Sequence, residues 1–316
     1  MAQSSRPGII GAIVGDALGV PYEFDPRSQI AYAPAKDMIG YGTYDQPPGT
    51  WSDDSSLILC TIQALINGYD LSQIAASFVD WFETGLWTPH GTVFDIGVTT
   101  RNVIDRLSDG EDPKYSGEVE EQTNGNGSLM RIIPMVYYLL REQDAGVRYE
   151  RVAEVSAISH AHVRSKLCCF YYTELARLLM NGAELDSALN AANEMLRSTF
   201  TARGIVEHET RNYERLLSGL LGNTHEDEIH STGYVMHTLE ASIWCLLNTS
   251  SYSDAVLKAV NLGEDTDTTA CVTGALAGII YGEDAIPDDW LHKIARLDEI
   301  ESLIDRFDAD RLATKR

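Results

Sequence analysis

Basic residues are scarce in this chain. Its 316 residues hold 24 Lys and Arg against 47 Asp and Glu, giving a formal charge of −23 and a pI near 4.6. Phosphate backbones are gripped by clustered Lys and Arg, so nucleic acid is not an expected partner. Cysteine is also sparse: Cys60, Cys168, Cys169, Cys245 and Cys271 form no CxxC pair and lie in apolar, helix-like contexts. Five buried free thiols are expected. There is no uninterrupted apolar run of roughly 18 residues or more, so no membrane span is expected. The start MAQSSRPGIIGAIVGDALG lacks a charged region followed by a long apolar core and cleavage site, which makes the cytoplasm the expected location. Alternating, strand-like runs are few as well, which argues against a sheet.

What the chain does have is helical periodicity. Apolar residues recur at three- and four-residue spacing in Leu57, Ile58, Leu65 and in Ile74, Phe78, Trp81, Phe82, and the two runs stop at Gly68 and Gly85. The period returns in Val163, Leu167, Phe170, in Val235, Leu239, Ile243, Leu246, and in Ala255, Val256, Ala259, Val260. These runs predict an all-α protein forming one domain over residues 1–316, with loops at 25–52, 84–94, 109–127 and 221–231 where Pro, Gly and polar residues cluster. An apolar content of 44% is enough for a substantial core.

Two segments are built for close approach. Gly11, Gly15 and Gly19 would leave one face of a helix bare, and Ala270, Gly274, Ala277 and Gly278 would do the same for a later helix. Glycine in a helix interior costs about 1 kcal/mol, so backbone contact is the expected compensation.

Charge gathers at the start of that later helix. In LGEDTDTTACVTGAL, Asp265, Asp267 and Thr268 precede the small residues, with no Lys or Arg between 259 and 281. PGTWSDDSSLIL repeats the arrangement with Ser52, Asp53 and Asp54, and no Lys or Arg falls between 37 and 100. Two readings are open. Each group caps its own helix, or the two helix starts meet and four carboxylates converge, in which case divalent cations must offset their repulsion. An all-oxygen set of this kind suits Mg²⁺, Mn²⁺ or Ca²⁺ rather than Zn²⁺ or copper. An EF-hand is excluded, because its glycine position would be Ala270 and its bidentate glutamate position Leu276.

Seven motifs in order, GAIVGDALGVPYEF, GTWSDDSSL, FDIGVTTR, NGNGSLMRIIP, SHAHVRS, GYVMHTLEASIWCLL and NLGEDTDTTACVTGALAGIIYG, resemble the ADP-ribosylglycohydrolase family over nearly the whole chain. The resemblance implies a compact orthogonal helical bundle with a dinuclear Mg²⁺ or Mn²⁺ centre at the bottom of a cleft. It implies that Ser52, Asp53, Asp54, Asp265, Asp267 and Thr268 hold the metals and that Glu23, Asp54 and Asp267 are the catalytic carboxylates, Glu23 moving the proton. Cleavage of a ribosyl bond passes through an oxocarbenium-like state, which calls for polarised sugar hydroxyls, an activated water and a proton for the leaving group.

The remaining motifs imply a substrate surface. Thr123, Asn124, Gly125, Asn126, Gly127 and Ser128 match a phosphate loop, and exposed backbone N–H groups just before a helix would suit a diphosphate there. His160 matches a histidine lining the ADP-ribose cleft, and Tyr234 lies where some members stack an aromatic on adenine. Asp95 matches the aspartate that anchors a guanidinium in arginine-directed members; its plain alternative is a helix cap for the run starting at Ile96. Val98 departs from the nitrogenase-reactivating members, which have asparagine after the DIG motif. Glu264 stands where relatives often have glycine, without an assigned role. The implied activity is hydrolysis of ADP-ribose from a protein side chain, most readily arginine; ADP-ribosyl-serine, an O-linked ester, or a non-catalytic ADP-ribose binder are the alternatives. The implied partner is an ADP-ribosylated protein, with an ADP-ribosyltransferase or its target as a further candidate.

Overall fold

Helix boundaries follow local chemistry. In the computed structural model, which describes residues 4–313, the helices of ten or more residues are α1 (Arg6–Gly19), α2 (Asp53–Leu65), α3 (Leu71–Thr84), α4 (Val98–Ser108), α5 (Ala145–Ala157), α6 (Val163–Met180), α7 (Leu185–Arg203), α8 (Val235–Leu247), α9 (Tyr252–Asn261), α10 (Thr266–Tyr281) and α11 (Leu297–Ala313). Ser52, Asp70, Asp144 and Ser251 cap α2, α3, α5 and α9 by accepting first-turn N–H groups through their side chains. Gly85 ends α3 and Gly204 ends α7 in the left-handed conformation. Among the described residues there is no β-strand, only three isolated bridges. The ends of the expected 1–316 domain, residues 1–3 and 314–316, lie outside the described residues.

The axis of the fold is the antiparallel pair α1 and α10. The two small-residue faces meet: a Cβ on Gly11 would stand 2.3 Å from the Gly274 carbonyl oxygen, and one on Gly15 would stand 2.1 Å from that of Ala270. No larger residue fits at either position. At the far end of the seam, Gly19 lies against the backbone of Asp267, so the close approach fixes where the acidic start of α10 sits relative to the end of α1. Packing around this pair gathers α2, α6, α8 and α9 into one hydrophobic core, and all five cysteines are buried and free. No helix among the described residues is long and apolar enough to cross a membrane.

Candidate metal centre and substrate cleft

The starts of α2 and α10 converge on the segment that follows α1. Thr268 Oγ1 donates to Asp54 Oδ2 at 3.3 Å, linking the two acidic clusters, and Ser52 Oγ donates to the same oxygen at 3.1 Å. Glu23, Asp265 and Asp267 each place a carboxylate oxygen within 4.8 Å of the others. Four oxygens, Glu23 Oε2, Asp54 Oδ1, Asp265 Oδ1 and Asp267 Oδ2, are buried without any hydrogen-bond partner. Orphaned buried carboxylate oxygens are costly, and several aimed at one place are what a hard cation requires. The separate-caps reading accounts for Ser52, which accepts from Asp54 N–H; it leaves the orphaned oxygens unexplained.

The cluster is larger than the two acidic stretches. Asp95 approaches Asp53, and Asp16 joins from α1 at 0% exposure, giving seven carboxylates with Glu23, Asp53, Asp54, Asp265 and Asp267. Among the described residues, none of the seven forms an ion pair with Lys or Arg. Burial first, then mutual repulsion, raises Asp53, Asp54 and Asp267 well above the usual carboxylate range. Burial and the nearby Asp95 push Glu23 up to about 9. Without cations the protonated forms are favoured, because each added charge in a dry site opposes the next.

Asp16 is the residue that sequence reasoning leaves out, although it lies inside the GDALG motif. Its carboxylate accepts from Ser52 N–H at 2.9 Å, Ser55 N–H at 3.0 Å and Ser55 Oγ at 2.5 Å. It therefore clamps the first turn of α2 and orients Ser52, Asp53 and Asp54; burial raises it to about 6 despite these bonds. Tyr44 is a second omission: its phenol lies close to the Glu23 and Asp95 carboxylates, and burial with their charges raises it above its ordinary value. Asp95 does not cap the following helix, because α4 begins at Val98 with Gly97 at its cap position. Its carboxylate instead joins the cluster, and Val98 is 78% exposed.

Beside the cluster runs the glycine turn. Asn126 Nδ2 donates to Asp265 Oδ2 and to Thr238 Oγ1, both at 2.9 Å, so the turn is bonded to the acidic centre. The turn is less open than exposed N–H groups just before a helix would be. Asn126 N–H donates to the Gly233 carbonyl, Asn124 and Ser128 are buried, and the next helix, Pro134–Tyr138, starts several residues later. The side chains are occupied too: Asn124 bonds Glu121 and Ser165, Ser128 bonds Ser156, and Thr123 closes on the Glu120 carbonyl. The turn is a largely buried strut in which Thr123 and Gly125 are half-buried.

His160 lies under this strut. Its Nδ1 pairs with Ser159 Oγ at 2.8 Å, and a Cβ on Gly127 would stand 2.9 Å from its Cε1. Burial holds it down to about 3, so it is neutral. Tyr234 forms the isolated bridge with Gly125, and its hydroxyl accepts from Arg164 Nη1 at 3.0 Å. Its ring packs edge-on against His237 at 4.9 Å. His162 and His237 serve locally, His162 Nδ1 accepting from Arg164 N–H and His237 Nδ1 pairing with Thr232 Oγ1.

The fold and this cleft define a class: all-α proteins that gather carboxylates and hydroxyls at meeting helix starts, beside a glycine turn and an aromatic rim. The chain belongs to the ADP-ribosylglycohydrolase family, whose model matches residues 3–316. It is 30% identical over 306 residues to an ADP-ribosylarginine hydrolase of Serratia proteamaculans, covering 96% of this chain and 78% of that protein. It is 26% identical to the ADP-ribosyl-[dinitrogen reductase] glycohydrolase of Rhodospirillum rubrum, covering 90% and 88%. A solved ADP-ribosylglycohydrolase-related protein complex superposes with a TM-score of 0.79 at 27% identity, covering 98% of this chain and 99% of that one. Family membership makes the chain an ADP-ribosyl hydrolase.

Proposed function

We propose that this protein removes ADP-ribose from modified arginine side chains of proteins, using two Mg²⁺ or Mn²⁺ ions. The observation that carries the reading is the set of four orphaned carboxylate oxygens with a further carboxylate, Asp95, beside them and no basic partner among the described residues. Ser52, Asp53, Asp54, Asp265, Asp267 and Thr268 would hold the ions, with Asp16 fixing the orientation of the first three. Bound hard dications supply charge neutralisation and polarise ribose hydroxyls and water. Glu23 Oε2, buried and unpaired, is placed to hold or give up a proton at the scissile bond. Asp95 offers a flat two-oxygen acceptor that matches a guanidinium and gives a neutral serine hydroxyl no comparable partner. Gly125 and Tyr234 form the wall against which the ADP-ribose would lie.

The test is turnover of proteins ADP-ribosylated at arginine, serine or glutamate, in Mg²⁺, Mn²⁺ or EDTA. Release from arginine that is abolished by EDTA supports the reading, and Asp95→Ala should lower arginine release at least about ten-fold more than serine release. EDTA-insensitive turnover, or a preference for serine that Asp95→Ala leaves intact, overturns it.

A further inference from the structure

Aromatic side chains cluster near Glu23 and Asp95 and take no part in the proposed hydrolysis. Phe24 directly follows Glu23, the residue is 68% exposed, and its backbone has φ +68°. A bulky residue seldom occupies that left-handed region, and strain of this kind clusters where a side chain must be aimed. Two reciprocal backbone bonds hold it: Phe24 N–H donates to the Glu264 carbonyl at 2.7 Å, and Glu264 N–H donates to the Asp25 carbonyl at 2.8 Å. Glu264 is itself at φ +63°. Two left-handed, non-glycine residues thus face each other between Glu23 and Asp265.

Tyr44 extends the aromatic surface. Its ring centroid lies 6.4 Å from that of Phe24 and 5.1 Å from that of Phe94. The loop carrying it is locked in place. Thr43 Oγ1 donates to the Glu23 carbonyl at 2.6 Å, and Gly42 lies so close under Pro21 that a Cβ would stand 1.9 Å from its carbonyl oxygen. The Tyr44 phenol lies close to the Glu23 and Asp95 carboxylates, whose charges it faces. An exposed ring at Phe24 next to the half-buried Tyr44 and near ionisable carboxylates suits one chemical shape in particular, a planar delocalised cation, which takes stacking from the ring and paired hydrogen bonds from the acids.

We propose that Phe24 and Tyr44 form an acceptor collar that selects a guanidinium side chain, Phe24 by stacking on its plane and Tyr44 by fixing the orientation of Asp95 and Glu23. The proposal rests on the arginine reading and assigns its specificity to residues outside the metal centre. The paired left-handed turns at Phe24 and Glu264 are the device that holds the collar over the cleft.

The test compares wild-type, Phe24→Ala, Phe24→Tyr and Tyr44→Phe enzymes, all loaded with Mn²⁺, on arginyl and seryl ADP-ribosylated proteins. Agmatine serves as a guanidinium probe, its binding measured by calorimetry. Phe24→Ala should raise the arginyl KM and weaken agmatine about ten-fold, with kcat within about two-fold, and should cut the arginyl-over-seryl preference by a similar factor. Phe24→Tyr should restore all three. Tyr44→Phe should lower kcat more than it raises KM, as a positioning role demands. If the wild-type enzyme cleaves arginyl substrates but agmatine binds Phe24→Ala equally well, or both substrates decline alike, the collar is wrong and the arginine reading stands. If the wild-type enzyme neither cleaves arginyl substrates nor binds agmatine, the arginine reading fails and the collar fails with it.

Discussion

Glu174 and Asp267 are both buried, at 2% and 1% exposure, yet only Glu174 has cationic side chains beside it. Arg148 forks onto Glu174 through Nε at 2.6 Å and Nη2 at 2.8 Å, and Arg177 adds a further bond at 2.8 Å. Glu209 receives the same fork from Arg164, and Glu240 is met by Arg215. This chain therefore builds matched buried ion pairs where a carboxylate serves the fold. At the cleft it converges seven carboxylates and, among the described residues, gives them hydroxyls, amides and each other instead. With only 24 Lys and Arg in the sequence, the buried ion pairs commit basic residues to the scaffold, and the cleft carboxylates are left without them among the described residues.

The largest effect separates the two kinds of carboxylate. Asp267→Ala or Asp54→Ala should reduce turnover at least about 10³-fold while the far-ultraviolet circular dichroism stays helical. Arg148→Ala should do the reverse, costing roughly 3 kcal/mol of unfolding free energy in urea while the folded fraction keeps its turnover. Wild-type turnover in either Asp variant would place the chemistry elsewhere, and a stable Arg148→Ala protein would remove the contrast.

Opposite pH dependences should follow. Burial works to raise Glu174, but the bonds from Arg148 and Arg177 overcome it and hold the carboxyl below its ordinary value. Its contribution to stability is present above the unfolded value of about 4.5 and is lost as pH falls through the lower folded value. At the cleft the sign reverses. Asp16 is raised to about 6 and Glu23 to about 9, so between the ordinary carboxylate range and about pH 9 the folded protein holds protons that the unfolded chain has released. Stability of the metal-free protein should then fall as pH rises across that window, and bound Mn²⁺ should flatten the slope by taking the place of the protons. Melting temperatures between about pH 5 and 8, with EDTA and with Mn²⁺, measure it. A melting temperature that rises with pH in EDTA would mean that the cluster is ionised without help.

What can be read from the chain divides along the same line. The two acidic clusters, Ser52-Asp53-Asp54 and Asp265-Asp267-Thr268, are legible because each lies within a few residues, lacks nearby basic residues and opens an apolar helix. The seam between α1 and α10 is legible because small residues recur at helical spacing. Asp16 and Tyr44 are single letters whose partners lie in other segments, and nothing local distinguishes them from a buried polar residue or a rim tyrosine. The glycine turn looks open because turns usually expose their N–H groups. That Asn126 N–H is spent on Gly233, and Asn126 Nδ2 on Asp265, depends on long-range packing that composition does not encode.

Glu264 gives the smallest and most discriminating change. Its φ of +63° explains why glycine suits this position, and its side chain is exposed while its backbone N–H and carbonyl are both bonded to the Phe24–Asp25 segment. A left-handed conformation costs a non-glycine residue roughly 1–2 kcal/mol, and glycine returns about 0.5–1 kcal/mol of that through the greater freedom of its unfolded chain. Glu264→Gly should therefore stabilise the protein by no more than about 1 kcal/mol, read from its urea midpoint, and keep the arginyl preference because both backbone bonds remain. Glu264→Val should destabilise it, since a β-branched residue resists positive φ, and should weaken arginyl selection by releasing Phe24. Loss of arginyl preference in the glycine variant would show that position 264 contributes its carboxylate to the substrate, and that the turn alone does not set the collar.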